Sequence, residues 1–394
     1  MIILDCVPAG VIPPKGGGTK RIHNINLFLS KYYKILMFSH GIRKFEFKLP
    51  LNSWVKKINY NYYEVRYIDP YFIISSYLLN KLYNIGPIFS SNFLFINNPN
   101  FVKNLINSSD IIKIEHPWQF KYFHNMNKKK VPIILTLHDI GIELALQTIK
   151  NGFLKKKLIK IISTMEDFAI KNADKIIVVS EDDKKRLKEI YGTENKKVVV
   201  VPNGVNTKEF KSTSNKEEIK KKYGMENKKV VIFSGWKHIP NLHAVNQIIK
   251  ISKDLNEKNV VFIIIGSVGE FFKKIKSNNI IFTGYVDKVD DYFAMADLAL
   301  NPMISGTGTN IKILEYLSYG IPTITTKKGC RGYNLINRKE ALICDLKEFP
   351  EKISYLLNND IMRNKLSFYG KKFAKKYDWN NIAKIEKKIY DDII

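Results

Sequence analysis

The sequence predicts a two-domain α/β protein in which each domain is a doubly wound parallel sheet, and three observations carry that expectation. At 394 residues the chain exceeds what one ordinary hydrophobic core fills. Short β-rich apolar runs alternate with helical stretches from end to end. Those runs are continuously apolar rather than alternating, as expected of strands covered on both faces.

The first series of expected strands is Ile2–Val7, Lys34–Phe38, Ile111–Glu115, Pro132–Leu137, Lys175–Ser180 and Val198–Val201. The second is Lys229–Ser234, Val260–Ile265, Ile280–Thr283, Leu298–Asn301 and Thr323–Thr325. Between them lies the turn cluster Pro202–Asn206 and a polar tract, 207–229. The economical architecture is therefore two Rossmann-like domains, 1–205 and 206–376, with a cleft between them and ligands beyond the carboxyl ends of the strands. The amphipathic stretch Tyr377–Ile394 has no obvious place in the second domain and is expected to pack back on the first.

Composition removes several function classes. An apolar content of 45% with 26% charged residues is that of a soluble globular protein. Cys6, Cys330 and Cys344 are widely spaced and form no CxxC, which argues against a disulfide framework or zinc site and for a reducing, cytoplasmic setting. Met1–Leu4 runs straight into Asp5 and reads as a first strand rather than a signal peptide. No apolar run is long enough to span a bilayer. Tyr71–Phe95 comes nearest, but Asn80, Lys81, Asn84, Gly86 and Pro87 interrupt it. The net charge of +27 is spread along the whole chain, so it reads as a lysine-rich surface and no nucleic-acid partner is expected. Lys155–Lys157 with Lys160 form a basic helical patch. A solvated face and a peripheral contact with anionic lipid headgroups on the cytoplasmic membrane face are its two readings.

The most informative stretch is Pro302–Gly332. A loop rich in Gly and Thr, Ser305–Asn310, joins an apolar strand to a helix expected over Ile311–Tyr319 and stopped by Gly320 and Pro322. Gly306 and Gly308 let a ligand approach the backbone, and the helix start offers unpaired N–H groups and a positive dipole end. Lys312 and Glu315, three apart, share one helix face. A phosphate cradle with a carboxylate one turn behind suits a nucleotide diphosphate, the carboxylate reaching the ribose hydroxyls. Asp287, Asp290 and Asp291 read as the acidic start of a helix rather than a metal site. Arg331, between Gly329 and Gly332, is open between binding an anionic group and pairing with a carbonyl.

Seven stretches in order resemble the nucleotide-sugar-dependent glycosyltransferases of family four, which have the GT-B fold. Pro13–Gly18 followed by Arg21 looks like the family's glycine-rich loop after the first strand, and Ile114–Trp118 and Thr136–Asp139 look like its acceptor-side strand ends. Ala173–Glu181 and Val201–Val205 match its interdomain signature, and Phe233–Asn241 looks like the first loop of its donor domain. Ser305–Glu315 then supplies the donor loop and helix. Each alone is weak; order and spacing together are specific.

The resemblance implies transfer of a sugar from a nucleotide diphosphate sugar, for example a UDP- or GDP-sugar, to an acceptor hydroxyl with retention, without metal or further cofactor. It implies that Glu315 bonds the ribose hydroxyls, and that Gly306, Thr307, Gly308, Thr309, Asn310 and Lys312 hold sugar and phosphates. Gly235 and Lys237 stand where the family places cations against the diphosphate, with His238 behind them. Tyr285 and Val286, after Gly284, resemble the turn that holds the base. His116 or His138 matches the histidine facing the sugar, and spacing does not choose between them. Gly16, Gly17 and Gly18 form the acceptor-side loop. One departure is plain: Thr307 stands where the family usually keeps a Glu for the sugar hydroxyls. The acceptor is a glycan, a lipid-linked carrier or a small molecule, in glycan or polysaccharide biosynthesis. An epimerase of the same fold, and a non-catalytic binder of nucleotide sugars or polyanions, stand as alternatives.

Overall fold

The structure is a computed structural model that describes residues 1–14, 16–40, 54–67, 70–83, 99–149, 152, 154–194, 196–207, 216–255, 259–275 and 277–393. Residues 84–95 of the apolar stretch, Lys15 of the glycine loop and 208–215 of the polar tract lie outside the described residues. The chain forms two compact units, 1–202 joined by 382–394, and 203–381.

The first unit carries β1 (Ile2–Val7), β2 (Lys34–His40), β3 (Trp54–Lys57), β4 (Tyr62–Tyr67), β5 (Ile111–Glu115), β6 (Ile133–Leu137), β7 (Lys175–Val178) and β8 (Val198–Val200). They make one sheet in the order β3-β4-β2-β1-β5-β6-β7-β8. The order reverses at β1 and β5, which gathers the carboxyl ends of the central strands as a doubly wound sheet requires.

The sheet departs from the expected all-parallel form, because β3 pairs with β4 antiparallel while the other neighbours are parallel. Neither strand was expected from the sequence, since β4 carries Glu64 and Arg66 among its buried residues. Those two neutralise each other across 2.9 Å, and the Ser39 hydroxyl approaches Glu64. An internal ion pair thus lets a charged segment occupy a place that continuous apolarity usually marks.

The second unit carries β9 (Lys229–Ser234), β10 (Val260–Ile265), β11 (Ile280–Gly284), β12 (Leu298–Asn301), β13 (Thr323–Thr325) and β14 (Leu342–Ile343). The order is β11-β10-β9-β12-β13-β14, parallel throughout. Successive side chains of β9 enter opposite layers: Val231 and Phe233 pack with Val245, Ile248 and Leu356, while Val230 and Ile232 pack with Phe293 and Tyr316. That two-sided burial is why the strand reads as an unbroken apolar run.

Candidate functional site

On the second unit, the loop after β12 turns sharply at Gly306 (φ 116°) and Gly308 (φ 65°), a backbone that side-chain-bearing residues rarely adopt. The helix Ile311–Tyr319 follows and ends on Gly320 in the left-handed conformation. Asn310 precedes this helix without a side-chain cap bond, and its side-chain amide donates to Asn301 Oδ1 at 3.1 Å. The Ile313 N–H bonds the Asn310 carbonyl at 3.2 Å, and the N–H groups of Ile311 and Lys312 at the helix start are the ones placed to meet a ligand.

Lys312 rises from the first turn of that helix. Its Nζ donates to Asn241 Oδ1 at 2.6 Å and sits 4.2 Å from the Phe233 ring centroid. Withdrawal from water pushes its pKa down to about 7, against the opposing pull of Glu315. Asn241 in turn donates to the Trp236 carbonyl at 2.8 Å, so the loop after β9 and the donor helix are tied through one amide. Tyr316 adds a second tie, accepting the Ser234 N–H at 2.7 Å.

The loop and helix enclose a cavity of about 160 Å³ whose lining includes all of Ser305–Asn310 together with Lys312. His238, Asn241, Lys328 and Arg331 complete its polar wall. Of the other residues expected at a donor site, Glu315 lies one turn along the helix, half-buried and outside this lining. Lys237 also lies outside it, with its Nζ 4.3 Å from the Phe271 ring centroid. Gly235 is packed against the Asn241 side chain, and its carbonyl would meet a Cβ on Gly266 at 2.5 Å. Tyr285 is half exposed beside Trp236, ring centroids 5.9 Å apart, and Val286 packs into the layer of Phe293 and Tyr316. Asp291 is engaged by Lys222 and Tyr223, and Asp290 by Tyr319.

Sequence reasoning did not single out Asn203, Asn241, His243 or Asn301. Asn203 donates to Thr309 Oγ1 at 2.6 Å, and His243 Nδ1 lies 3.0 Å from Ser305 Oγ. Asn241 and Asn203 sit inside the quoted motifs, which was the available signal; His243 and Asn301 carried none.

On the first unit, His116, Trp118 and His138 form a three-ring stack with centroid separations of 4.3 and 4.4 Å. His116 has φ 73°, a strained value for a residue with a side chain. Burial, with His138 beside it, pushes its pKa well below the usual histidine range, so it is a neutral ring. His138 Nε2 lies 2.6 Å from Glu115, and a Cβ on Gly18 would sit 3.7 Å from His138 Nδ1. Gly16 precedes the helix Gly17–Leu29, whose first turn brings the glycine loop against this histidine.

Beneath His138 runs a buried chain of charge. Lys113 lies 2.7 Å from both Glu115 and Glu386. Burial alone would raise the Glu115 carboxyl, but Lys113 and His138 outweigh it and hold it below the usual range. Asp5, opposite Lys113 in the sheet register, is pushed up by burial to about 7, against the pull of Lys113.

A larger cavity of about 720 Å³ opens beside Trp118. Tyr122, Met165 and Phe168 give it an apolar wall, and Lys121, Lys157 and Lys160 add three ammonium groups. Two lysines of the basic helical patch therefore border a cavity rather than open solvent alone.

Comparison with known proteins bears on both units. The family described as Glycosyl transferases group 1 matches residues 228–359, and that described as Glycosyltransferase Family 4 matches residues 75–209. An uncharacterised glycosyltransferase of Methanocaldococcus jannaschii is 26% identical over 279 residues, covering 68% of this chain and 70% of that protein. Among solved structures, sucrose-phosphate synthase from Thermosynechococcus elongatus superposes with a TM-score of 0.76 at 14% identity, over 100% of this chain and 98% of that one. Anabaena HepE in complex with UDP superposes at 0.72 and 14% identity, over 100% and 99% of the two chains. The same protein with UDP-glucose gives 0.71, again at 14% identity, over 99% and 100%.

Proposed function

We propose, from the premise that this chain belongs to the family-four glycosyltransferases of GT-B fold, that it transfers a sugar from a nucleotide diphosphate sugar with retention. It is a glycosyltransferase; retention is what the resemblance implies, and donor and acceptor contacts are argued from its own residues.

The observation that carries the donor assignment is the open helix start behind Gly306 and Gly308, with Lys312 in its first turn. Such an arrangement meets the electrostatic demand of the reaction. As the bond between the anomeric carbon and the β-phosphate oxygen breaks, its electron pair passes to the diphosphate, and N–H groups and cations stabilise the growing charge. The acceptor oxygen bonds the anomeric carbon on the same face, and its proton passes to the departing phosphate oxygen. No side-chain nucleophile is required. Glu315 is assigned to the ribose hydroxyls, and His138, oriented by Glu115, to the acceptor side. Because Anabaena HepE was solved with UDP and UDP-glucose, UDP donors are the first to test.

On the acceptor side, the cavity beside Trp118 supports an amphiphile with an anionic group, as in a lipid-linked carrier, its apolar part against Tyr122 and Phe168. The helix Pro70–Tyr83 exposes Ile74, Tyr77, Leu78 and Leu82 on adjacent turns, which supports peripheral contact with a membrane.

Incubation with labelled UDP- and GDP-sugars separates this reading from its rivals. Slow donor hydrolysis, accelerated to transfer by lipid-linked acceptors, is the expected outcome. An epimerised sugar would favour an epimerase, and tight binding without turnover a non-catalytic binder. Glu315→Gln should weaken donor binding about tenfold with little change in melting temperature, since it removes a charge-assisted hydrogen bond to the ligand from a half-buried side chain. Unchanged affinity in calorimetry would remove Glu315 from the ribose role.

A further inference from the structure

The hydroxyl of Thr309, on the donor loop, is oriented from two sides. The short turn Lys328–Cys330 follows β13 and leads to Gly332, which has φ 88°. A Cβ on Gly332 would run into the Thr309 methyl group, so that methyl is seated against bare backbone. The other branch of the side chain, Oγ1, accepts the Asn203 amide N–H at 2.6 Å. Threonine is stiff at its first side-chain torsion, and with methyl and oxygen both placed it has one orientation.

Asn203 is itself held in place. It is buried, and the next residue, Gly204, lies so close to Trp379 that a Cβ would sit 2.6 Å from the indole ring. The Val205 N–H donates to the Tyr377 carbonyl at 2.8 Å, and the Trp379 N–H donates to the Val205 carbonyl at 3.2 Å. The amide is therefore fixed on a segment separate from the loop it bonds.

These contacts decide which way the hydroxyl bonds. A hydroxyl has one hydrogen to donate and two lone pairs. Asn203 fills a lone pair, and among the described residues no acceptor takes the hydrogen. Thr309 lines the donor cavity, so that hydrogen is available to a ligand there. The unesterified oxygens of a diphosphate only accept, so a hydroxyl held as donor matches them and one turned by its lone pairs does not. With the ribose assigned to Glu315 and the phosphates to the helix start at Ile311, Thr309 stands on the side away from the ribose. That is the side of the β-phosphate.

We propose that Asn203 is a positioning residue for the transfer, holding the Thr309 hydroxyl as a hydrogen-bond donor to the β-phosphate that departs with the bonding electron pair. A donor fixed before the bond breaks needs no reorientation as charge grows on that phosphate. This inference rests on the donor reading given above, and goes beyond it by assigning a residue outside the donor loop and the direction of one hydrogen bond.

Calorimetry on the full chain with UDP against UMP, and GDP against GMP, tests it. For the base that binds, Thr309→Val keeps the shape and removes the hydroxyl. It should weaken the diphosphate about tenfold and the monophosphate by less than about threefold. Thr309→Ala repeats the measurement should the valine variant not fold. Asn203→Ala should weaken the diphosphate about fivefold with the same sparing of the monophosphate. The double variant Asn203→Ala, Thr309→Val should bind no worse than Thr309→Val alone, because the amide acts through the hydroxyl. Losses that multiply in the double variant overturn the proposal, since Asn203 would then act by another route. An equal loss of mono- and diphosphate in Asn203→Ala also overturns it and leaves Asn203 a structural residue. Unchanged diphosphate affinity in the Thr309 variants removes the hydroxyl from the phosphate. Failure of both UDP and GDP to bind the unmodified chain overturns the donor reading, and this proposal with it.

Discussion

Lys312 is where the chemistry of single residues is most exposed to measurement. Its ordinary value of 10.5 falls to about 7 because the ammonium is withdrawn from water, with Glu315 only partly restoring it. His238 is lowered too, by partial burial and by the charge of Lys312. Between about 7 and 10.5 the unfolded chain holds a proton at this lysine that the folded chain does not. Folding stability from this group therefore rises with pH through that window, and its penalty is complete below 7. A bound diphosphate reverses the preference, since a neighbouring anion favours the ammonium. Binding above pH 7 must then take up a proton. The affinity for a UDP-sugar, whose phosphates do not titrate in this range, should fall about tenfold between pH 7 and 8.5. Calorimetry in two buffers of different ionisation enthalpy should show the uptake, and Lys312→Met should flatten the profile. A flat profile in the unmodified chain would place the diphosphate away from Lys312.

At the scale of elements, the donor site is three pieces held by Asn301, the fully buried last residue of β12. Its amide nitrogen reaches Gly329 O and, at 3.2 Å, Thr325 Oγ1, while its oxygen receives Asn310. Asn301→Ala leaves a buried carbonyl and a loop amide without their partner, a loss of about 1–3 kcal/mol. Because the loop and the turn both hang on it, nucleotide-sugar affinity should also fall about tenfold, whereas Asn310→Ala should loosen the loop alone. Melting temperature and affinity read together test this; an intact affinity at reduced stability would make Asn301 a packing residue only. How far this was legible differs by element. The helix Ile311–Tyr319 has the bounds expected of it, because Gly320 adopts the left-handed cap that a glycine before Ile-Pro advertises. Strands β9, β10 and β12 likewise have the expected limits, as mostly apolar runs leave little choice, and β1 and β5 do so too although they carry Asp5, Lys113 and Glu115. Strand β4 was invisible because Glu64 and Arg66 hide a buried segment behind a polar spelling. The Asn301 tie was invisible because an asparagine ending a strand has many ordinary uses, and its partners come from two later elements.

At the scale of the whole chain, the last residues are the informative ones. Residues 382–394 belong to the first compact unit, although the 179 residues before them, 203–381, form the second. The expectation of a helix seeking a partner came from its amphipathic pattern; what it contributes could not be read that way. Lys113 stands fully buried in the middle of β5, between Ile112 and Ile114, where an unpaired ammonium is strongly disfavoured. Its partners are Glu115, two residues on along the same face, and Glu386 from the terminal helix. Tyr390 donates to Glu386 at 2.6 Å, Tyr33 donates to Asp391, and Arg21 lies 3.8 Å from Glu386. Burial alone would lower Lys113, but Glu115 and Glu386 outweigh it and hold the ammonium charged. The same ammonium steadies Glu115, which orients His138. A distant segment therefore fixes a site residue through two buried ion pairs, and sequence spacing has no access to such a link. Glu386→Ala should remove about 3–5 kcal/mol from the first unit, since it strands a buried charge. For a unit of this size that is a fall of roughly 6–20 °C in its melting transition. The second unit, which holds the proposed donor site, should keep its nucleotide affinity, so the variant separates support of the acceptor side from donor binding. An unchanged first-unit transition would mean that Lys113 is satisfied by Glu115 alone and that the terminal helix is dispensable to the site.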